Sequence, residues 1–137
     1  MANEWVKVEL YGQNNDGDQR SYTCGANDVI PKGTLLSLFA GRIASTALVG
    51  ATAYAGVAAM DKEADGSTRI TAWTNGIFLA TSSGAINVGV AIVGAEANKI
   101  ASGSIVVTNP TLIGAGTLGY VLDTFANGET KNIRLLL

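Results

Sequence analysis

Turn-forming dipeptides punctuate this chain too closely for long helices. Asp16-Gly17, Pro31-Lys32-Gly33, Asp65-Gly66, Asn75-Gly76, Ser83-Gly84, Ser102-Gly103, Asn109-Pro110 and Asn127-Gly128 follow one another at a usual spacing of 8–20 residues. Asn-Gly and Asp-Gly tolerate the positive φ of tight hairpin turns. Stretches of that length between such signals suit short strands.

Most of the intervening segments read with period two. In EWVKVELY, Glu4, Val6, Val8 and Leu10 face one way and Trp5, Lys7, Glu9 and Tyr11 the other. In STRITAWT, Ile70 and Ala72 oppose Arg69, Thr71 and Trp73. GTLLSLF carries Leu36 and Leu38 on one side, and KNIRLLL sets Ile133, Leu135 and Leu137 against Arg134. Thr, Val, Ile and Trp at such positions fit a pleated, half-buried surface. INVGVAIV and GSIVVTN are continuously apolar, as strands covered on both faces are. The pattern predicts nine or ten strands, near 4–11, 20–23, 34–39, 56–60, 67–73, 76–80, 88–93, 104–108, 117–122 and 131–136. Only Ile43–Ala55 and Ala91–Asn98 have any claim to helix. The expected fold is all-β: a small barrel or a two-sheet, jelly-roll-like sandwich with little helix.

The run IASTALVGATAYAGVAAM, Ile43 to Met60, has no charge and seven alanines. It invites a transmembrane reading, but a spanning helix needs about 20 predominantly apolar residues. The run is eighteen residues long, and Ser45, Thr46, Thr52, Gly50 and Gly56 dilute it. No membrane partner is expected. Ile43–Met60, Ile70–Ala95 and Ile100–Leu122 each lack charge and together make up about half of the 137 residues. Charged residues are 15% of the chain, against about 25% in ordinary soluble domains. A monomer kept apart from its neighbours by charge looks different. The expectation is that other protein covers much of this surface.

Catalytic and metal chemistry finds little support. The chain has no histidine, which removes Ser-His-Asp and Cys-His catalysis and the commonest metal ligand. Cys24, the single cysteine, cannot pair within the chain and has no base to activate it. Gly114-Ala-Gly116-Thr-Leu-Gly119 spells GxGxxG, but the eighteen residues after it leave no room for a βαβ unit. Asn14-Asn15-Asp16-Gly17-Asp18 offers oxygens, but Arg20 stands where a calcium loop needs an acid. Asp61, Glu63 and Asp65 read as a charged hairpin tip. Nine scattered Lys and Arg residues and a net charge of −2 give phosphates no basic run, so no direct nucleic-acid partner is expected. The N-terminus MANEWVKVEL lacks an apolar core and is not read as a signal peptide. No enzyme activity and no cofactor are expected.

The order of elements resembles that of the short capsid cement, or head decoration, proteins of tailed bacteriophages. Val29-Ile30-Pro31-Lys32-Gly33-Thr34-Leu35 matches the family's V-P-x-G opening of a strand, and Ala55-Gly56-Val57-Ala58-Ala59 its Gly-Val-Ala box. Glu63–Gly66, Ser67–Thr74 and Asn75-Gly76-Ile77-Phe78 follow as turn, alternating strand and second Gly-hydrophobic pair. Ile86-Asn87-Val88-Gly89-Val90-Ala91 matches I-x-x-G. Gly116-Thr-Leu-Gly119-Tyr120-Val121, Asn127-Gly128 and Ile133-Arg134-Leu135-Leu136-Leu137 match the closing strands. The family often has G-D where this chain has Gly33-Thr34 and Gly89-Val90, so those loops do not carry over.

The resemblance implies a structural virion protein, made in the host cytoplasm, on the outer capsid surface. It would brace joints between copies of the major capsid protein. It implies a homo-oligomer, a trimer as first guess and a dimer as second, whose identical contacts sum to a tight hold. Residues 28–137 form the expected barrel or sandwich core of a single domain, and 1–27 a strand or arm and polar loop that serves as candidate capsid anchor. Trp5, Leu10, Tyr11, Ile43, Leu48, Val49 and Tyr54 are the candidate interface residues. Two other readings remain: a tail or fibre-base module, and a β-barrel holding a small ligand among its aromatics.

Overall fold

The computed structural model describes residues 3–10, 19–39, 43–46, 53–103 and 117–137. These hold eleven strands: β1 (Val6–Glu9), β2 (Gln19–Thr23), β3 (Leu35–Phe39), β4 (Ile43–Thr46), β5 (Tyr54–Ala58), β6 (Arg69–Trp73), β7 (Asn75–Thr81), β8 (Ala91–Gly94), β9 (Ile100–Ser102), β10 (Gly119–Val121) and β11 (Thr130–Leu136). The all-β expectation holds, with one sheet closed into a barrel and a second sheet open. β2, β4, β3, β5 and β6 form a closed barrel, and β1, β7, β11, β10, β8 and β9 form a six-stranded sheet in that order. Strand pairs are antiparallel except where β2 meets β4, with Thr23 opposite Ile43, and the single bridge between Ser82 and Ile100 is also parallel. No helix among the described residues is long and apolar enough to cross a membrane.

Two cores follow from the alternation along the barrel strands. Leu36, Ala44, Ala55, Ala58, Ile70 and Ala72 pack with Tyr22, Cys24 and Ile30 inside the barrel. Their neighbours Leu35, Tyr54, Val57 and Trp73 point outward and pack on Phe78, Ala80, Ile92, Leu118, Val121, Ile133 and Leu135 of the sheet. β5 is therefore buried at all five positions. Each large side chain so buried contributes roughly 1.5–3 kcal/mol.

The alanine-rich run is explained here. Eight strands give a barrel interior just wide enough to be filled by side chains, and the interior narrows as strands are removed. A five-stranded interior that holds Tyr22, Ile30, Leu36 and Ile70 leaves only small side chains space between them, and Ile43–Met60 supplies β4 and β5 with Ala44, Ala55 and Ala58. Much of its missing charge reflects burial within the chain itself.

The structure corrects several strand assignments. Ile43–Thr46 and Ile100–Ser102 are strands the pattern did not separate. The strand expected at 88–93 starts at Ala91, because Val90 N–H donates to the Asn87 carbonyl and closes a turn first. Ala91–Asn98 is not helical: it is β8 followed by a single 3-10 turn at Glu96–Asn98. Asn75-Gly76 makes no hairpin. It opens β7 where the chain leaves the barrel and enters the sheet. Gly76 (φ 136°) is needed because a Cβ there would meet the Glu9 carbonyl oxygen at 2.7 Å, so β1 can lie close beside β7. The strand expected at 104–108, residues 13–18 of the polar loop expected at Gln13–Gln19, and Gly114 and Gly116 lie outside the described residues, while Gln19 already belongs to β2. Gly119 of the same motif is a strand residue of β10, opposite Leu135.

Candidate functional site

The residues expected at an interface separate into two groups. Trp5 is 3% exposed, its ring lies against Phe78 with centroids 6.0 Å apart, and its Nε1–H donates to the Asn98 carbonyl at 2.8 Å. Tyr54 is buried, and its hydroxyl accepts the Gly94 N–H at 2.9 Å. Leu10 is half-buried against the same core. These three side chains hold barrel to sheet, and Trp5 and Tyr54 keep little surface to offer a partner. Ile43 opens β4 opposite Phe39. Tyr11, Leu48 and Val49 lie outside the described residues.

All four residues of β1 are exposed, its two valines among them. Val6 is 55% and Val8 51% exposed. Across the sheet Val6 lies opposite Leu79 and Leu79 opposite Asn132; after a bulge between Lys7 and Glu9, Glu9 lies opposite Ile77, Ile77 opposite Arg134, and Arg134 opposite Tyr120. Ile77, Leu79 and Tyr120 are half-buried, and Leu136 at the end of β11 is 46% exposed. The solvated face of an antiparallel sheet is ordinarily polar. This one is mixed: Glu9, Asn132 and Arg134 share it with Val6, Ile77, Leu79 and Leu136.

A cleft opens beside β1, lined by Glu4, Trp5, Val6, Lys7, Lys32 and Trp73, with a volume of about 340 Å³. One wall depends on Gly33. Its carbonyl accepts the Trp5 N–H at 2.8 Å, and its own N–H donates to the Ala58 carbonyl at 2.8 Å. Gly33 has φ 90°, and a Cβ there would meet the Trp5 carbonyl oxygen at 2.4 Å. Only glycine lets the N-terminal segment cross the barrel rim at this height. The next residue back, Lys32, is held by its N–H, which donates to Asp61 Oδ1 at 2.7 Å. Lys32 Nζ then stands 5.5 Å, and Lys7 Nζ 5.9 Å, from the centroid of the Trp73 ring. Trp73 is 4% exposed and tilted on Phe78 at 5.6 Å. Sequence reading missed this convergence, because residues 7, 32 and 73 share no local pattern.

A second feature the sequence concealed sits in the acidic turn. Asp61, Glu63 and Asp65 are exposed, but Lys62 between them is 2% exposed. Its Nζ donates to the carbonyls of Ala26 (3.2 Å), Asp28 (3.4 Å) and Glu63, and pairs with Asp65 Oδ1 at 3.4 Å. The Ser67 N–H holds the Asp65 carboxyl below its ordinary range, aided by the charge of Lys62. Burial pushes the nearby Cys24 thiol up, against the opposing pull of Lys62. The turn is thus a clasp around a buried ammonium, closing one end of the barrel.

No protein-family model matches the chain, and no curated protein matches it in sequence. Among solved structures it is similar to the head fiber gp8.5 N base of bacteriophage phi29, with a TM-score of 0.53 and 14% identity. The match covers 86% of this chain and 92% of that one. At this identity the likeness shows a shared fold.

Proposed function

We propose that this chain is a structural protein of a phage virion, seated on the outside of an assembled capsid and stabilising joints between major capsid proteins as a homo-oligomer. The observation that carries the reading is the fold likeness to a phage head-fibre base over nearly the whole of both chains. Exposed apolar side chains on the sheet, Val6, Val8 and Leu136, give such a contact apolar footholds. A repeated shell offers several identical contacts to such an oligomer at once, so modest single contacts suffice.

A closely related second reading, the base module of a fibre, is favoured by the description of that neighbour as an N base of a head fibre. The small-ligand barrel finds no support in the barrel interior, which the chain's own Tyr22, Ile30, Leu36 and Ile70 fill. Co-sedimentation of purified protein with expanded shells, followed by cryo-electron microscopy of virions, tests the proposal. Density on the outer shell at local symmetry axes is expected. Protein free in the lysate and missing from purified particles overturns it.

A further inference from the structure

We propose that the cleft beside β1 is a carboxylate-binding site, taking an Asp or Glu side chain that the capsid partner presents next to an apolar residue. The partner's identity rests on the reading above; the carboxylate chemistry does not.

The site is assembled from three distant parts of the chain. β1 brings Lys7, the turn before Gly33 brings Lys32, and the end of β6 brings Trp73. Two exposed ammonium groups are held over one indole, at 5.9 and 5.5 Å from its centroid. Like charges placed together repel, and the ring's negative face offsets this by about 0.5–1 kcal/mol for each exposed cation. An anion between them replaces repulsion with two charge-assisted hydrogen bonds. Glu4, the third charged group of the lining, reduces the net positive charge of the cleft to one. That suits a single carboxylate better than a phosphate. Trp73 further carries a buried Nε1–H with no hydrogen-bond partner among the described residues, whereas buried indoles ordinarily find one.

The surroundings identify what bears the carboxylate. The chain as a whole is acidic, with a net charge of −2, so an extended polyanion is repelled outside this spot. Trp5 and Val6 line the cleft beside the two lysines, and Val6 is 55% exposed. A carboxylate next to an apolar side chain on a peptide segment matches both halves at once.

The test begins with the isolated full-length protein. The probe is Ac-Phe-Glu-NH2, with Ac-Phe-Gln-NH2 as control, followed by amide and indole NMR shifts. Saturable shifts at Lys7, Lys32 and Trp73 are expected, with affinity at least tenfold lower for the Gln peptide. The same loss is expected in a Lys7→Gln/Lys32→Gln variant whose thermal unfolding matches wild type. Unsaturable shifts, or equal affinity for the two peptides, overturn the carboxylate site. Phenylacetate binding as tightly as the Glu peptide overturns the peptide source, and dissociation of an oligomer by the double variant reassigns the occupant to a second copy. Shell binding is read separately: the double variant should lose at least tenfold. Unchanged binding overturns the capsid source, whereas wild-type protein that never binds shells refutes the capsid reading and leaves the peptide result standing.

Discussion

Trp5 donates its indole N–H to the backbone carbonyl of Asn98 at 2.8 Å, across 93 positions of sequence. The Asn98 side chain continues the link, its Oδ1 accepting the Leu35 N–H at 3.0 Å. One buried asparagine thus ties the N-terminal segment, the barrel and the β8–β9 turn together. Its φ of 62° lies in the left-handed region, which asparagine tolerates better than most residues.

Replacing Asn98 with Ala should therefore cost about 1–3 kcal/mol, because it strands the buried Leu35 N–H. Trp5→Ala should cost more, about 3–5 kcal/mol, through the cavity it leaves. Urea unfolding followed by circular dichroism measures both. Equal stability of Asn98→Ala and wild type would refute the tie.

Lys62→Met keeps the apolar stem and removes the ammonium. The carbonyls of Ala26 and Asp28 then lose their donor. A loss of about 1–3 kcal/mol is expected, read as a fall in thermal midpoint. A more stable Lys62→Met variant would show that desolvating the ammonium outweighs its hydrogen bonds.

Deleting residues 1–12 is a poor probe of capsid anchoring, since it also removes Trp5 from the core. Val8→Ser with Leu136→Ser is cleaner. Both side chains are about half exposed, so stability should change by only about 0.5 kcal/mol per site. Shell binding should fall at least tenfold in co-sedimentation, and undiminished binding would remove the outer sheet face from the proposed interface.

Acid should weaken the fold through two exposed carboxylates. Lys131, 2.6 Å away, holds Glu129 below its ordinary range, and the Ser67 N–H does the same for Asp65. A carboxyl depressed in the folded state stabilises above its unfolded pKa, and that stability disappears as pH falls through the folded value. Urea midpoints should drop below about pH 4, and the Asp65→Asn/Glu129→Gln variant should show a flatter curve there.

Cys24 should resist thiol reagents in the native state, because burial raises its pKa and leaves it 4% exposed. Reaction on addition of urea should release one equivalent. The raised folded value also means that stability declines as pH climbs past the unfolded thiol's pKa of about 8.5. Rapid labelling at neutral pH without denaturant would contradict the burial.

The sequence alone determined the class and most strands. Turn spacing and period-two alternation are local properties, and they placed β1, β2, β3, β5, β6, β7, β10 and β11 to within two residues at either end. Leu36 and Leu38 were read on one face and do share the barrel core. Tertiary structure decided the rest, because facing depends on what lies across. Leu35 beside Leu36 is as deeply buried as its neighbour, since β3 is covered by the barrel interior on one side and the sheet on the other. Trp5 and Tyr54, two of the candidate interface residues, lie inside the core for the same reason. The meeting of Lys7 and Lys32 over Trp73 was invisible in the sequence, because long-range strand pairing alone brings positions so far apart onto one ring.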